Sequence, residues 1–78
     1  MTKEQLASLA HSLKDNEAFQ QALNDQRSGA LDALATIRAD DILGIQEHQA
    51  TVRVVDGIRA NLDQFISNGA PPKAIGIA

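Results

Sequence analysis

One run of the sequence, residues 41–68, predicts a single long helix with more apolar surface than a monomer's surface helix normally carries. Wound at about 100° per residue, the run places its larger apolar side chains on one side: Ile45, Val52, Val55, Ile58, Leu62, Phe65 and Ile66. Further apolar or small residues extend that side around the helix: Leu43, Ala50, Val54 and Gly57. A surface helix normally shows one apolar stripe little wider than about 100°. We therefore expect this helix to have partners on more than one side.

The length of the chain limits how it can be stabilised. Its 78 residues make one small domain, and a core of that size supplies only about 3–5 kcal/mol. The usual supports are disulfides, a metal or oligomerisation, and the absence of cysteine excludes disulfides and thiolate metal sites. We therefore predict a homo-oligomer, in which Val54→Glu or Val55→Glu lowers the mass of the assembly. Its predicted interface consists of Ile45, Ala50, Val52, Val54, Val55, Gly57, Ile58, Leu62 and Phe65.

Charge and hydropathy exclude several classes of partner. The formal net charge is −3, with 7 basic and 10 acidic side chains, whereas nucleic-acid binders usually carry a basic excess. No stretch approaches the roughly 20 apolar residues that span a membrane. The polar first residues do not resemble a signal peptide. We expect a soluble protein inside the cell, with no membrane partner and with nucleic acid disfavoured as a partner.

The pattern along the chain predicts an all-α fold with helices at about residues 3–13, 17–38 and 41–68, forming a single domain over residues 1–69. Thr2 and Gln5 form a capping box for the first helix, which we expect to dock by its leucine edge. Asp15 or Asn16 can cap the second helix. The connection to the third helix is short, so the two long helices should form an antiparallel hairpin that oligomerises through the third. Residues 70–78, which include Pro71 and Pro72, are predicted to form an extended, mildly apolar tail.

Arg38 to Asp41 connect the two long helices. Arg38 suits the last turn of the second helix, and Asp40 or Asp41 suits the N-cap of the third. A divalent-cation half-site on Asp40 and Asp41 is the less favoured interpretation, because adjacent carboxylates point apart.

The two histidines and three basic residues are the remaining candidates for chemistry. His48 lies in the apolar arc of the third helix, where a half-buried structural role is favoured over a pH switch; His11 is expected to be solvated. Arg53, Arg59 and Lys73 could converge from neighbouring subunits into an anion pocket. The ordinary interpretation pairs Arg59 with Asp56 or Asp63 along the same helix.

No residues in the sequence resemble a nucleophile with its base, a glycine-rich phosphate loop or paired catalytic carboxylates. We therefore expect no enzymatic activity, no cofactor and no metal site.

Residues 13–69 resemble a family of small helical proteins of tailed bacteriophages and prophages, often encoded among the head and DNA-packaging genes. The family pattern is a D/N-P/E-A-F helix start, an acidic interhelical turn and a long helix that ends L-x-x-x-I-x-x-G. The chain matches it with Asn-Glu-Ala-Phe at residues 16–19, Asp-Asp at 40–41 and Leu62, Ile66 and Gly69. Further stretches that carry the resemblance are residues 20–23, 27–35, 46–47, 52–61 and 67–68. Gly44, Gly57 and the Pro-Pro tail depart from the pattern.

The resemblance implies no catalytic residues and leaves three functional hypotheses. The first is a non-enzymatic phage protein that acts by self-association and by contact with another phage or host protein, in or accessory to virion assembly. It would work in the host cytoplasm or within the virion. The second is an anti-defence protein that sequesters a small anionic signal, such as a cyclic nucleotide, between subunits. The third and weakest is a DNA-packaging or DNA-binding accessory.

Overall fold

The computed structural model describes residues 1–69, and in that range it contains three α-helices and no strand: α1 (Lys3–Lys14), α2 (Glu17–Thr36) and α3 (Ile42–Gly69). The predicted all-α class is confirmed. The predicted tail, residues 70–78, lies outside the described residues.

Local side-chain caps determine where the helices begin. At α1 the Thr2 hydroxyl accepts from the Gln5 backbone N–H at 3.0 Å, and the Gln5 side chain accepts from the Thr2 N–H, so the capping box is confirmed. The Asn16 side chain caps α2 by accepting from the Phe19 N–H at 2.8 Å. Asp41 does the same for α3, accepting from the Gly44 N–H at 2.9 Å. Each cap satisfies a backbone donor that has no partner within its helix.

The end of α2 differs from the prediction for Arg38. The helix stops at Thr36, because Ile37 has extended backbone angles (φ −70°, ψ 146°). Arg38 therefore lies in the turn and not in the last helical turn, and its Nε donates to the Asp40 carboxylate at 3.1 Å. Asp40 is an ion-pair partner, whereas Asp41 is the cap.

Paired positions along α2 and α3 fix the register between the two long helices. Asn24 contacts Arg59, and Arg27 contacts Asp56. Leu31 and Leu34 line one groove together with Val52 and Gln49 of α3. Each contact that lies three or four residues later in α2 therefore involves a residue three or four positions earlier in α3.

Helix α1 packs on the other end of α3. The Lys14 ammonium donates to the Asp63 carboxylate at 2.7 Å. At the last residue of α3, a Cβ added to Gly69 would meet the Ala7 side chain and the Lys3 carbonyl oxygen, so glycine permits this close approach. Because α1 and α2 occupy successive parts of α3, the molecule is long, measuring 56 × 27 × 24 Å. Its radius of gyration is 17.2 Å, against about 11 Å for a compact domain of this length.

The core is thin and receives residues from every helix. Its buried hydrophobic members are Ala10, Leu23, Ala30, Val55 and Leu62. Two of the five are alanines, and no large side chain of residues 1–69 is fully enclosed. A core of this size leaves apolar surface exposed elsewhere on the helices.

The docking of α1 corrects a sequence-based expectation. Leu6 is half-buried, but Leu9 and Leu13 are 52% and 41% exposed, while Ala10 is buried. The helix therefore docks mainly through its small residues and not through its leucine edge. Alanine at the contact lets two helix backbones approach more closely than leucine would allow.

Candidate interaction surface

A shallow apolar groove runs between α2 and α3 and is a candidate for binding. Its volume is about 330 Å³. The groove, called the apolar groove below, is lined by Leu23, Gln26, Ala50, Thr51, Val54, Val55 and Ile58. Val55 and Leu23 form its floor, since both are buried, whereas Val54 stands at its rim with 61% exposure. Its lining is therefore mostly apolar and partly open to solvent.

Two residues that line the groove, Ala50 and Val54, belong to a longer row of exposed apolar or small residues on α3. This row is called the α3 stripe below and comprises Leu43, Ala50, Val54 and Gly57. Successive members are separated by seven, four and three residues, which places them on one side of a helix. Leu43 is 74% exposed, and a Cβ added at Gly57 would meet nothing within 4 Å. The subunit itself therefore leaves this side of α3 uncovered.

The nine residues predicted to form an interface divide into three groups. Ala50, Val54 and Gly57 are exposed and available to a partner. Ile45, Val52, Ile58 and Phe65 are half-buried. The chain itself covers the remaining two, Val55 and Leu62, which are 4% and 8% exposed. A second copy could reach these last two only if the helices separated.

The opposite side of the α2–α3 pair carries side-chain bonds between the helices, next to a second groove lined by Leu31, Leu34 and Val52. The Arg27 Nε donates to the Asp56 carboxylate at 2.9 Å, and Arg59 donates to the Asn24 side chain. Asp56 and Val54 are two residues apart on α3, so they point about 200° apart around the helix. The two long helices are therefore joined by side-chain bonds on one side and present an apolar groove on the other.

The ion pair changes the acid–base properties of its members. The hydrogen bond from Arg27 is the main cause that lowers the pKa of the Asp56 carboxyl below its usual value, and the nearby charges of Arg27 and Arg59 act in the same direction. The same bond raises the pKa of the Arg27 guanidinium. At the far end of α3, the hydrogen bond to Asp63 raises the pKa of the Lys14 ammonium. The paired side chains Lys14, Asp63, Arg27 and Asp56 are 54%, 59%, 38% and 52% exposed, so solvent screens their charges.

Of the three basic residues predicted for an anion pocket, the structure describes Arg53 and Arg59 and places them at different sites. Arg59 is half-buried and bonded to Asn24, rather than to Asp56 or Asp63 as the sequence suggested. Arg53 is exposed and lines a separate groove with Leu31 and Leu34. Lys73 lies outside the described residues.

The two histidines lie in different environments. His48 is half-buried and lines a shallow cavity with Asp25, Gln26 and Thr51 among other residues. His11 is exposed, and its Nδ1 lies 3.1 Å from the Asp15 carboxylate.

Arg27 and Asn24 are the contact residues that the sequence interpretation missed. Both are bonded to residues of α3 that lie 29 and 35 positions away. A helical-wheel pattern carries no signal for such pairs, because it fixes the face of each helix but not the register between helices. Once the register is known, Arg27 opposite Asp56 is an evident match of charge.

Residues 1–69 contain neither a cluster of candidate metal ligands nor a helix that could span a membrane. No three histidine, aspartate or glutamate side chains in that range lie close enough together to hold a metal ion. None of its helices combines the length and hydropathy required to cross a bilayer.

These features define an all-α protein with a thin core and an uncovered apolar surface on its longest helix. Comparison with known protein families, with curated sequences and with solved structures finds no match in any of the three. The resemblance to small phage proteins therefore stays a prediction from the sequence.

Proposed function

We propose that this chain is a non-enzymatic phage protein that acts by self-association and protein–protein contact, in virion assembly or as an accessory to it. In this proposal the subunit is an antiparallel hairpin of α2 and α3 with α1 alongside, and copies associate through α3. The site of action is the host cytoplasm or the virion. The observation that carries the proposal is the exposure of the α3 stripe beside the apolar groove.

Energetics supports self-association over a monomeric function. Small domains with little core commonly gain their stability from a partner, and every buried core residue here has a small or medium side chain. Covering apolar surface contributes about 25 cal/mol per Å² removed from water. The α3 stripe contains two exposed large apolar side chains, Leu43 and Val54, that a partner could cover.

The residue types in the stripe suit helix-on-helix packing. Ala50 and Gly57 leave space for a second helix to approach closely, while Val54 and Leu43 project far enough to enter a neighbour's groove. A pair of copies related by a twofold axis would insert Val54 of each into the apolar groove of the other. Such an interface uses the same surface twice and closes on itself.

The decisive experiment compares Val54→Glu with Gln46→Glu, which adds the same charge at an exposed position of the same helix. We expect the parent and Gln46→Glu to share one oligomeric mass in light scattering, and Val54→Glu to shift towards a single chain. Circular dichroism should show equal helix content in all three proteins. A parent that stays monomeric at millimolar concentration, or a Val54→Glu mass equal to that of the parent, contradicts the proposal.

The assembly role has its own test. The gene is disrupted in the phage that carries it, and particles from infected cells are examined by electron microscopy and mass spectrometry. We expect fewer complete particles, and the chain itself in virions or in assembly intermediates. A normal particle yield without the chain would contradict a role in assembly. It would not contradict self-association.

A further inference from the structure

The α3 stripe changes in side-chain size from one end to the other. Leu43 is large and 74% exposed, Ala50 is small, and Gly57 has open space where a side chain would stand. These three residues follow one another at intervals of seven, so Leu43 and Gly57 lie about 10.5 Å on either side of Ala50 along the helix axis. The stripe therefore carries a projection at one end and a vacant position at the other.

Two residues of opposite charge flank the stripe at equal distances from Ala50. Glu47 precedes Ala50 by three residues and Arg53 follows it by three, which places each about 4.5 Å away along the axis. At about 100° per residue, they lie on opposite sides of the stripe. Both are exposed, and no side chain among residues 1–69 forms an ion pair with either. Their charges are therefore accessible to a second molecule that covers the stripe.

A second copy of α3 could cover the stripe in a parallel or an antiparallel orientation, and only the antiparallel one matches both size and charge. In a parallel pair, each residue lies at the height of its own counterpart, so leucine meets leucine and like charges are neighbours. In an antiparallel pair centred on Ala50, Leu43 of each copy lies over Gly57 of the other. Glu47 of each copy then lies at the height of Arg53 of the other. A large side chain over a vacant position packs without overlap, and opposite charges attract.

We propose that a second copy of this chain covers the α3 stripe, with the two α3 helices antiparallel and a twofold axis at Ala50. This arrangement rests on the proposed self-association through α3 and specifies its geometry. Each contact is made twice, as in any twofold interface. Side chains of a helix lean towards its N-terminus, so Val54 of each copy leans towards Ala50 of the other, at one end of the apolar groove.

Exchanging the two charges tests the pairing across the interface. Glu47→Arg and Arg53→Glu each turn attraction between copies into repulsion, so each should weaken self-association by roughly fivefold at low salt. The double variant restores the attraction and should return to the parent's affinity, as measured by light scattering over a dilution series. Asp32→Arg is the matched control, because it reverses an exposed charge on α2 opposite the buried Ala30, and it should leave the affinity unchanged. A double variant no tighter than the single variants overturns the pairing.

Spin labels measure the orientation directly by double electron–electron resonance. The chain contains no cysteine, so Ser67→Cys, at an exposed position near the end of α3, carries one label per copy. Ser67 lies 17 residues beyond Ala50, and the antiparallel arrangement therefore separates the two labels by about 50 Å. Labels within about 25 Å of each other indicate a parallel pair, which overturns the proposed orientation but leaves self-association intact. Labels that show no distance to a second copy contradict self-association as well.

Discussion

The two sides of the α2–α3 pair differ in the kind of contact they make. On one side, Arg27–Asp56 and Arg59–Asn24 connect the helices through exposed polar groups. On the other, the apolar groove and the α3 stripe carry uncovered apolar side chains, with Val54 61% exposed. Exposed ion pairs contribute little energy each, but they match specific positions and so specify register. Apolar surface contributes energy only when something covers it.

Within this small subunit, different contacts therefore determine the register of the helices and the stability of their packing. The polar contacts select one alignment of α2 on α3, and the thin core between them stabilises that alignment. The apolar side remains available for a partner. Three predictions, in order of decreasing effect, test whether the two sides differ in this way.

The largest effect is expected at the boundary between core and stripe. Val55→Glu should unfold the subunit, at a cost of about 3 kcal/mol or more, because it places a charge without a partner in the buried floor of the groove. Val54→Glu, one residue away, should change the unfolding free energy of the isolated subunit by less than about 0.5 kcal/mol. Thermal and urea unfolding of dilute samples measure both. Equal destabilisation by the two variants would show that the stripe is part of the intramolecular core.

The sequence alone predicted that either glutamate variant would lower the oligomeric mass. The structure sharpens that expectation, because loss of mass in Val55→Glu would follow from unfolding, whereas in Val54→Glu it would occur with the helices intact. Circular dichroism recorded with light scattering distinguishes these two routes.

An intermediate effect is expected at two glycines of α3. Gly57→Ala should stabilise the isolated subunit by about 0.5–1 kcal/mol, since the new methyl group meets nothing within 4 Å and alanine favours the helix. The same methyl group should weaken self-association by roughly tenfold, through overpacking of a close helix contact. Unfolding curves and concentration-dependent light scattering measure the two quantities.

Gly69→Ala is the matched control for this prediction. It should destabilise the subunit, because the added Cβ would collide with Ala7 and the Lys3 carbonyl oxygen. If both alanine variants stabilised the subunit, the close approach of α1 to the end of α3 would be wrong. If Gly57→Ala left association unchanged, Gly57 would lie outside the contact.

The smallest effect is expected from pH on the polar side. Because the pKa of Asp56 is lowered in the folded chain, its carboxylate stabilises the fold above the usual aspartate pKa of about 3.9. That contribution disappears as the pH falls through the lower, folded-state pKa. The Tm of the parent should therefore slightly exceed that of Asp56→Asn at neutral pH, and the gap should close in strong acid.

Salt provides the control for the pH prediction. Both members of the Arg27–Asp56 pair are exposed, so 1 M salt should shrink the neutral-pH gap between parent and Asp56→Asn. A Tm difference that persists at pH 2, or that 1 M salt leaves unchanged, would mean that Asp56 stabilises the fold by something other than its charge.

Much of the fold could be predicted because it depends on contacts between near neighbours in sequence. The caps at Thr2 and Asn16 act over three residues, and helical periodicity repeats every three or four. The prediction for Arg38 was wrong because α2 ends at Thr36, which leaves Arg38 in the turn, where it pairs with Asp40. Local rules predict which segments are helical, but helix ends depend on which of several local bonds forms.

The candidate surface was predicted only in part. The surplus apolar character of α3 was evident from the sequence, and Leu43, Ala50, Val54 and Gly57 are indeed exposed in the subunit. The pattern could not separate Val54 from Val55, since both lay on an apolar arc wider than one neighbour covers. Nor could it show that Ala10, rather than the leucines, docks α1.

The sequence by itself determined that residues 1–69 form three helices, where two of them start by side-chain capping, and that the longest carries surplus apolar surface. Only the tertiary structure decided which part of that surface the subunit covers and which bonds cross between helices. The physical reason is the sequence separation over which each interaction acts. Caps and periodicity act within about one helical turn, whereas the Arg27–Asp56 contact joins residues 29 positions apart and exists only after the register of two packed helices is fixed.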